Sequence, residues 1–455
     1  MSKRSKSDRG TNARALALDI LAAAGRKNRS VEELLAATLK RQPLLQPERA
    51  FLLELVQGVK RWELKLDYLI SQASAIPLKK LHPMVLLILR LAAYQLLMLD
   101  KVPARAAVHE AVLAAKARRL PPAYGGFINA VLRRLAADEP SWPDREADPV
   151  QALSVAHSHP AWLVRRWLGR WGLDATEARL AANNRIPPLT IRVNTLKTDT
   201  KSLQLRLARE GMIAEPCRFS PSGLRLTKIE APPLELPSYR EGLWIFQDEA
   251  AQLVSLLLPA APGSLLLELG AGRGGKTTHL AEKLGGGVLL AVDQHQGRLR
   301  ELASNLRRWG AGWVQAVRAD AAAALPVKAQ SVDSAVLDAP CSALGILRRH
   351  PEIKTRLTAA DLDSFPARQR AMLTAAAAAL RPGGRLLYIT CTTEPAENEG
   401  LIDSFLAAHR EFRLATDPDL LPAPARSLVN PPGYFRTSPA AHGLDGFFGA
   451  LLTKQ

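Results

Sequence analysis

The chain has 455 residues, more than one ordinary domain, and 61 lysines and arginines stand against 43 aspartates and glutamates, a formal net charge of +18. That excess points to a polyanionic partner, most simply nucleic acid, although a merely soluble basic protein would share it. Three widely spaced cysteines exclude a disulfide framework and a zinc site, so a reducing cytoplasm and no metal are expected.

Met1–Arg9 is a basic polar start without an apolar signal core. From Asn12 to Asp138 the pattern is helical throughout. Asn12 is placed to cap the first helix, Ser30 with Glu33 makes a capping-box pattern before VEELLAATLKR, and Pro47 opens the next helix where proline is tolerated. Further helices are expected over Leu81–Leu99, Ala104–Arg119 and Gly125–Ala137, giving an all-helical bundle of residues 1–138. The apolar run Met84–Leu99 is broken by Arg90 and falls short of the ~20 residues a bilayer needs, so it reads as a core helix and no membrane is expected. Basic residues gather near helix ends, among them Arg26, Lys27, Arg29, Lys40, Arg41, Lys116, Arg118, Arg119, Arg133 and Arg134. Phosphate reading and complementation of helix dipoles both account for them.

Glu139–Val150 is proline-rich and charged, a linker. A helix is expected over Ala161–Asn184, with Trp162, Trp167 and Trp171 at helical spacing, a stripe that reads first as core and second as a base-stacking platform. LTIRVN, a helix over Thr200–Gly211 and GLRLTK then form a small α/β connecting module within residues 151–240. It carries Arg192, Arg206 and Lys228, to grip RNA or to join domains.

Residues 241–455 form the last domain. After a helix over Gln247–Leu258, strands (Ser264–Leu269, Val288–Val292, Trp313–Val317, Ser334–Leu337, Arg385–Thr390) alternate with helices (Thr277–Leu284, Arg298–Trp309, Asp361–Leu380, Asn398–Ala408). Such alternation means a parallel, doubly wound α/β sheet of Rossmann-like class, to which Gly446–Thr453 adds a final strand.

The loop Glu268-Leu-Gly270-Ala271-Gly272-Arg273-Gly274-Gly275-Lys276-Thr277 joins the first strand of this domain to its helix, and spacing alone leaves three readings. It fits a dinucleotide fingerprint with Asp293 for a ribose, a phosphate loop ending in Lys276-Thr277, and the E-x-G-x-G-x-G loop over which class I methyltransferases bind S-adenosylmethionine. The neighbours favour the third. Asp293, Asp320 and Asp338 follow the second, third and fourth strands, where that class places acids for the ribose, the adenine and the methyl-bearing end. Three carboxylates in series would repel a polyphosphate and suit a cation carrying an adenosine.

Two of the three cysteines lie where strands give way to loops: Cys341 after Asp338-Ala-Pro in Val332–Gly345, and Cys391 after Arg385–Thr390. Ligands bind beyond the carboxyl ends of strands in an open α/β sheet, so both thiols are expected to face one substrate base. Carbon 5 of a pyrimidine is a poor nucleophile, and methylating it requires a thiolate to add at carbon 6. A second thiol assists the later loss of the carbon-5 proton or the elimination, while Asp338, protonated or sharing a proton, hydrogen-bonds N3. The bland alternative is that both cysteines are small core hydrophobes.

Asp338-Ala-Pro-Cys341-Ser, then Arg348-Arg-His350-Pro351, then Ile389-Thr-Cys391-Thr resembles the RNA cytosine-C5 methyltransferase family over nearly the whole chain. The helical start, Asn12-Ala-Arg-Ala-Leu-Ala, resembles the antitermination factor NusB, which makes the chain similar to the Sun, or RsmB, branch that modifies 16S rRNA. The resemblance implies Cys391 as nucleophile, Cys341 as the thiol that frees product, and Asp338 as support for the activated ring. DNA cytosine methyltransferases instead place the nucleophile in the Pro-Cys motif. It further implies S-adenosylmethionine held by Gly270, Ala271, Gly272, Arg273, Gly274, Gly275, Lys276, Asp293, Asp320 and Asp338. The partner implied is 16S rRNA or a small-subunit assembly intermediate, bound by a monomer in the cytoplasm.

There is one departure. Where the family usually carries Asp-x-Cys-Ala-Ala-Pro-Gly-Gly-Lys, this chain has Glu268-Leu-Gly-Ala-Gly-Arg-Gly-Gly-Lys276, and Arg273 is expected to reach RNA phosphate instead. Other RNAs as substrate, an RNA-stimulated ATPase using Gly270–Thr277, and a non-catalytic RNA-binding assembly factor remain as alternatives.

Overall fold

The computed structural model of the chain describes residues 13–27, 30–259, 261–323 and 325–455. The expected cap at Asn12, the basic start Met1–Arg9, Arg29 and the side chains of Arg26 and Lys27 lie outside the described residues. Two units are formed: the described residues up to Arg185 with Leu347–Leu357, and Ile186–Ile346 with Thr358–Gln455.

The first unit is helical. Along Gln46–Ala73 the buried residues Leu52, Leu55, Val56, Val59, Leu66 and Ile70 recur at three- and four-residue steps, so one stripe of the helix is apolar and faces its neighbours. Pro47 occupies its first turn, as expected. The helix Pro83–Met98 packs against it and begins later than the sequence pattern indicates, because His82 Nδ1 accepts from Met84 N at 3.2 Å. Its charged interruption is paired: Arg90 reaches Glu63 at 2.7 Å and Asp67 at 2.6 Å. No helix among the described residues is long and apolar enough to cross a membrane. The capping box at Ser30 does not form; its side chain makes no cap hydrogen bond, and Glu32 and Glu33 meet the helix dipole in the first turn.

Ala161–Asn184 is broken at Gly172, whose φ of 73° no continuous helix accepts. Trp167 is buried, and Trp171 lies 5.5 Å from it with the guanidinium of Arg179 3.9 Å above its ring, so the stripe is largely core. The segment Leu347–Leu357 enters this unit through a buried amine. Lys354 Nζ donates to Arg61 O (2.9 Å), Ser158 O (3.1 Å) and Asn184 Oδ1 (2.7 Å), while Arg61 donates to Arg348 O at 3.1 Å.

The second unit holds two sheets. The smaller contains β1 (Leu189–Val193), β2 (Met212–Pro216), β3 (Gly223–Ile229) and β4 (Trp244–Phe246), antiparallel in the order β2-β3-β1-β4. Arg192 is fully buried and bonds Gln247 Oε1 (2.6 Å), Thr278 Oγ1 (2.5 Å) and Glu282. It joins the small sheet to the next domain rather than gripping RNA.

The larger sheet contains β5 (Leu265–Leu269), β6 (Val288–Asp293), β7 (Gln315–Arg318), β8 (Val332–Asp338), β9 (Leu380–Thr390), β10 (Phe412–Leu414), β11 (Val429–Asn430), β12 (Tyr434–Arg436) and β13 (Phe448–Lys454). Its order is β11-β12-β13-β9-β8-β5-β6-β7, with β10 beside β13. Strands β5 to β9 are parallel, and β13 adds antiparallel to β9. From β5 the chain winds out to β7 and returns to β8 on the other side, which opens a crevice beyond the strand ends. The fold is a Rossmann-like sheet preceded by a helical domain and a small α/β module.

Candidate active site

The candidate site is built mainly from strand ends. Gly270 follows β5 with φ 82°, and a Cβ there would lie 2.4 Å from the Asp338 carbonyl oxygen, so only glycine lets β5 and β8 approach this closely. Gly274, at φ 91°, turns the chain into the helix Gly275–Leu284. Asp293 ends β6 and accepts from Gly272 N at 3.0 Å and His295 N at 2.8 Å, which fixes the glycine loop against the second strand.

A cleft of about 280 Å³ opens at these ends. Gly270, Gly272, Asp293, Asp320, Asp338, Cys341 and Cys391 all line it. The remaining residues of the glycine loop lie behind it. Ala271 N donates to Val292 O, Gly274 packs on Leu302, and Gly275 O accepts from Arg192. Arg273 pairs with Glu301 at 3.0 Å, a partner on the following helix that the expectation of a phosphate contact did not include.

The two sulfurs of Cys341 and Cys391 lie 3.4 Å apart in this cleft. Lys276 Nζ donates to Asp338 Oδ2 at 2.7 Å and lies 5.4 Å from the centre of the Phe447 ring. Burial alone would lower the Lys276 pKa, but the charge and hydrogen bond of Asp338 outweigh it and raise the value. The hydrogen bond between Cys391 and Cys341, with burial and the charges of Cys341 and Asp338, raises Cys391 well above the ordinary thiol range, while Lys276 pulls the other way. Burial pushes Glu268, at the end of β5, up to about 8, so this acid stays protonated at neutral pH.

Behind the sulfurs stands one buried carboxylate. Glu397 accepts from Ser342 N (2.9 Å), Ser342 Oγ (2.5 Å), Thr392 Oγ1 (3.3 Å) and Gln369 Nε2 (2.9 Å). Ser342 and Thr392 each follow one of the paired cysteines.

The sequence reading missed several lining residues: Gln294, His295 and Arg298 beyond β6, and Arg368 and Met372 on the helix Phe365–Ala379. Arg368 reaches Asp320 at 3.6 Å and Gln294 at 2.9 Å. Gln294 and His295 follow directly on Asp293 and were signalled by it; Arg298, Arg368 and Met372 come from helices whose facing sides only the fold reveals.

These residues suit a cation bearing an adenosine. Asp293 and Asp320 bring two carboxylates to the cleft, and Val292, Pro340 and Met372 offer apolar faces. They suit a triphosphate poorly, because the Lys276 ammonium that a phosphate loop directs at its ligand is taken by Asp338. Among the described residues no cluster of metal-ligating side chains occurs.

Family models agree with this layout. Residues 255–453 match the model described as 16S rRNA methyltransferase RsmB/F, residues 11–137 the NusB family, and residues 159–231 the RsmF/B-like ferredoxin-like domain. A probable ribosomal RNA small subunit methyltransferase B from Synechocystis is 36% identical over 445 residues, covering 97% of this chain and 99% of that one. The ribosomal RNA small subunit methyltransferase B of Pseudomonas putida is 36% identical over 413 residues, 90% of this chain and 91% of that protein. Among solved structures, PH0851 superposes with a TM-score of 0.83 at 28% identity, over 97% of this chain and 98% of that one. NSun6 from Pyrococcus horikoshii with SFG shares the fold, with a TM-score of 0.56 at 23% identity over 65% of this chain and 98% of that one.

Proposed function

The chain belongs to the 16S rRNA methyltransferase RsmB/F family, and from that premise we propose that it methylates carbon 5 of a cytosine in 16S rRNA through a covalent adduct with Cys391. The observation that carries this reading is the pair of sulfurs 3.4 Å apart beside the Lys276–Asp338 pair. S-adenosylmethionine, held by the glycine loop, Asp293 and Asp320, would supply an electrophilic methyl group at the end of the cleft nearest Asp338.

Cys391 first gives its proton to solvent, a loss that the Lys276 ammonium favours despite the raised thiol pKa. The thiolate forms a bond to carbon 6, the ring's electron pair moves towards N3, and a proton shared by Lys276 and Asp338 settles there. Carbon 5 then attacks the methyl group. Cys341, which gives its own proton to solvent once Cys391 is bonded to carbon, removes the carbon-5 proton; the electrons left behind restore the ring double bond and expel Cys391, and N3 returns its proton to the Lys276–Asp338 pair. Two neighbouring sulfurs suit this division, because one departs as the other takes up a proton.

A flipped or unpaired cytosine is the substrate form that reaches the thiols, and the basic excess favours phosphate contacts in a small-subunit rRNA or assembly intermediate in the cytoplasm. Labelled methyl transfer from S-adenosylmethionine to unmodified 16S rRNA, followed by bisulfite mapping, tests the reading. A single protected cytosine is expected; label on any other base, or on none, overturns it.

A further inference from the structure

Cys341 and Cys391 are both free thiols, half-buried and in contact at 3.4 Å, and both line the open cleft of about 280 Å³. A disulfide bond is about 2.05 Å long, so the sulfurs need to approach by little more than about 1 Å to be joined. The loops that carry them are already tied together. Gly345 N, four residues beyond Cys341, donates to Cys391 O at 2.9 Å, and Glu397 accepts from Ser342 on one side and from Thr392 on the other.

The contact between the sulfurs also bears on their reactivity. Whichever of the two loses its proton, the other can donate a hydrogen bond to it, and the Lys276 charge favours the thiolate of Cys391. An ionised sulfur that opens to a cleft is what a peroxide oxidises, and a second thiol in contact with it traps the product before oxidation goes further. Cys217 has neither property. Burial, then the carboxylates of Glu249 and Asp248, push its thiol up to about 12, so it stays un-ionised and serves as an internal comparison.

We propose that Cys341 and Cys391 form a modification site for peroxides, which convert the pair to a disulfide and reversibly switch the catalytic centre off. The ionised sulfur attacks one oxygen of hydrogen peroxide: an S–O bond forms, the O–O bond breaks, and the hydroxide that leaves takes up a proton as water. The second thiol gives its proton to solvent and attacks the oxidised sulfur. The S–S bond forms, the S–O bond breaks, and a second hydroxide leaves and is protonated to water. Two thiols lose two electrons, which the peroxide gains. A dithiol reverses the change by exchange, whereas a lone sulfenic acid goes on to the sulfinic state, which a dithiol does not reduce. Held in the disulfide, Cys391 has no thiolate to add to carbon 6. That consequence rests on the rRNA reading above; the disulfide itself does not.

The test uses the full chain, reduced and free of RNA, exposed to a few equivalents of hydrogen peroxide, alkylated under denaturing conditions and digested without reductant. Mass spectrometry is expected to find the Cys341 and Cys391 peptides joined, with two hydrogens fewer, and Cys217 alkylated. Methyl transfer by the treated chain is expected to fall at least about tenfold and to return to within about twofold of its starting value after dithiothreitol. In Cys341→Ala the same treatment is expected to carry Cys391 to a sulfinic acid that dithiothreitol leaves in place. Unlinked thiols, sulfinic acids in the wild type, or a bridge to Cys217 would overturn the modification site and leave the rRNA reading standing. Joined peptides in a chain that transfers no methyl group to 16S rRNA would overturn the rRNA reading and leave the oxidisable pair standing.

Discussion

Ser342 and Thr392 meet hydroxyl to hydroxyl at 2.6 Å, and Glu397 Oε1 lies within hydrogen-bond reach of both. Since Cys341 precedes one and Cys391 the other, a single carboxylate sets the distance between two sulfurs that are fifty residues apart in the chain. Glu397→Gln keeps the shape but turns an amide N–H₂ or a weaker acceptor towards four donors. A displacement on the order of 1 Å at a reacting group costs about a hundredfold. The expected result is a kcat on RNA lowered between about tenfold and a hundredfold with cofactor affinity unchanged. Steady-state kinetics with calorimetric cofactor binding check it, and a kcat within about twofold of wild type would remove Glu397 from this role.

The sheet and the convergence of strand ends were legible because parallel strands buried on both faces read as unbroken apolar runs, and β8 and β9 stop abruptly at Asp338 and Thr390, the latter just before Cys391. What stayed hidden depends on partners distant in sequence. Glu397 sits in a polar Glu-Asn-Glu run that resembles a solvated helix start, yet it is buried under Ser342, Gln369 and Thr392. Lys276 reads as a ligand of the cofactor until β8 brings Asp338 to it. Leu347–Leu357 continues the cysteine motif in sequence but folds with the helices, because Lys354 finds its acceptors on Arg61, Ser158 and Asn184. Strands β10, β11 and β12 are two or three residues long, too short for any periodicity to show.

The division of labour between the thiols has a direct readout on denaturing gels. Cys391→Ala is expected to form no covalent RNA adduct and to lose methyl transfer by at least about a thousandfold, as removal of a covalent nucleophile does. Cys341→Ala is expected to accumulate a protein–RNA adduct that survives denaturation, because the carbon-5 proton has no acceptor and Cys391 cannot leave. The reverse pattern would assign the nucleophile to the Pro-Cys motif.

Lys276 is expected to act on the base and not on the cofactor. Its ammonium touches Asp338 and influences the Cys391 thiol, and it does not line the cleft where an adenosine would lie. Lys276→Met should therefore lower kcat about a hundredfold while changing the cofactor Kd less than about threefold. It should also raise the pH at which adduct formation by Cys391 is half-maximal, since the positive charge that favours the thiolate is gone. Rapid-quench adduct assays over pH measure both; a cofactor Kd raised as far as kcat falls would return Lys276 to the cofactor.

RNA affinity should fall steeply with salt. With a net charge of +18, phosphate neutralisation is the simplest source of binding, and log K then falls with log salt by roughly 0.7 to 0.9 per phosphate engaged. Filter binding of 16S rRNA over a salt series gives the slope. A slope near zero would mean that the basic surface does not carry the interaction.

Glu268 makes the second unit sensitive to alkali in a defined window. Burial raises this carboxyl from its ordinary 4.5 to about 8, with Asp338 and Asp293 adding to the rise and Thr277 and Lys276 opposing it. Between those values the folded chain keeps a proton that the unfolded chain has released, so stability falls as pH climbs from 4.5 towards 8 and levels off above it. The loss over the whole window is on the order of a few kcal/mol. Glu268→Gln carries a neutral amide in the same place and should flatten this slope, leaving the variant more stable than wild type at the alkaline end. Denaturant titrations that follow the second unit across the window decide the matter: parallel pH profiles for the two proteins would show that Glu268 is already ionised in the folded chain.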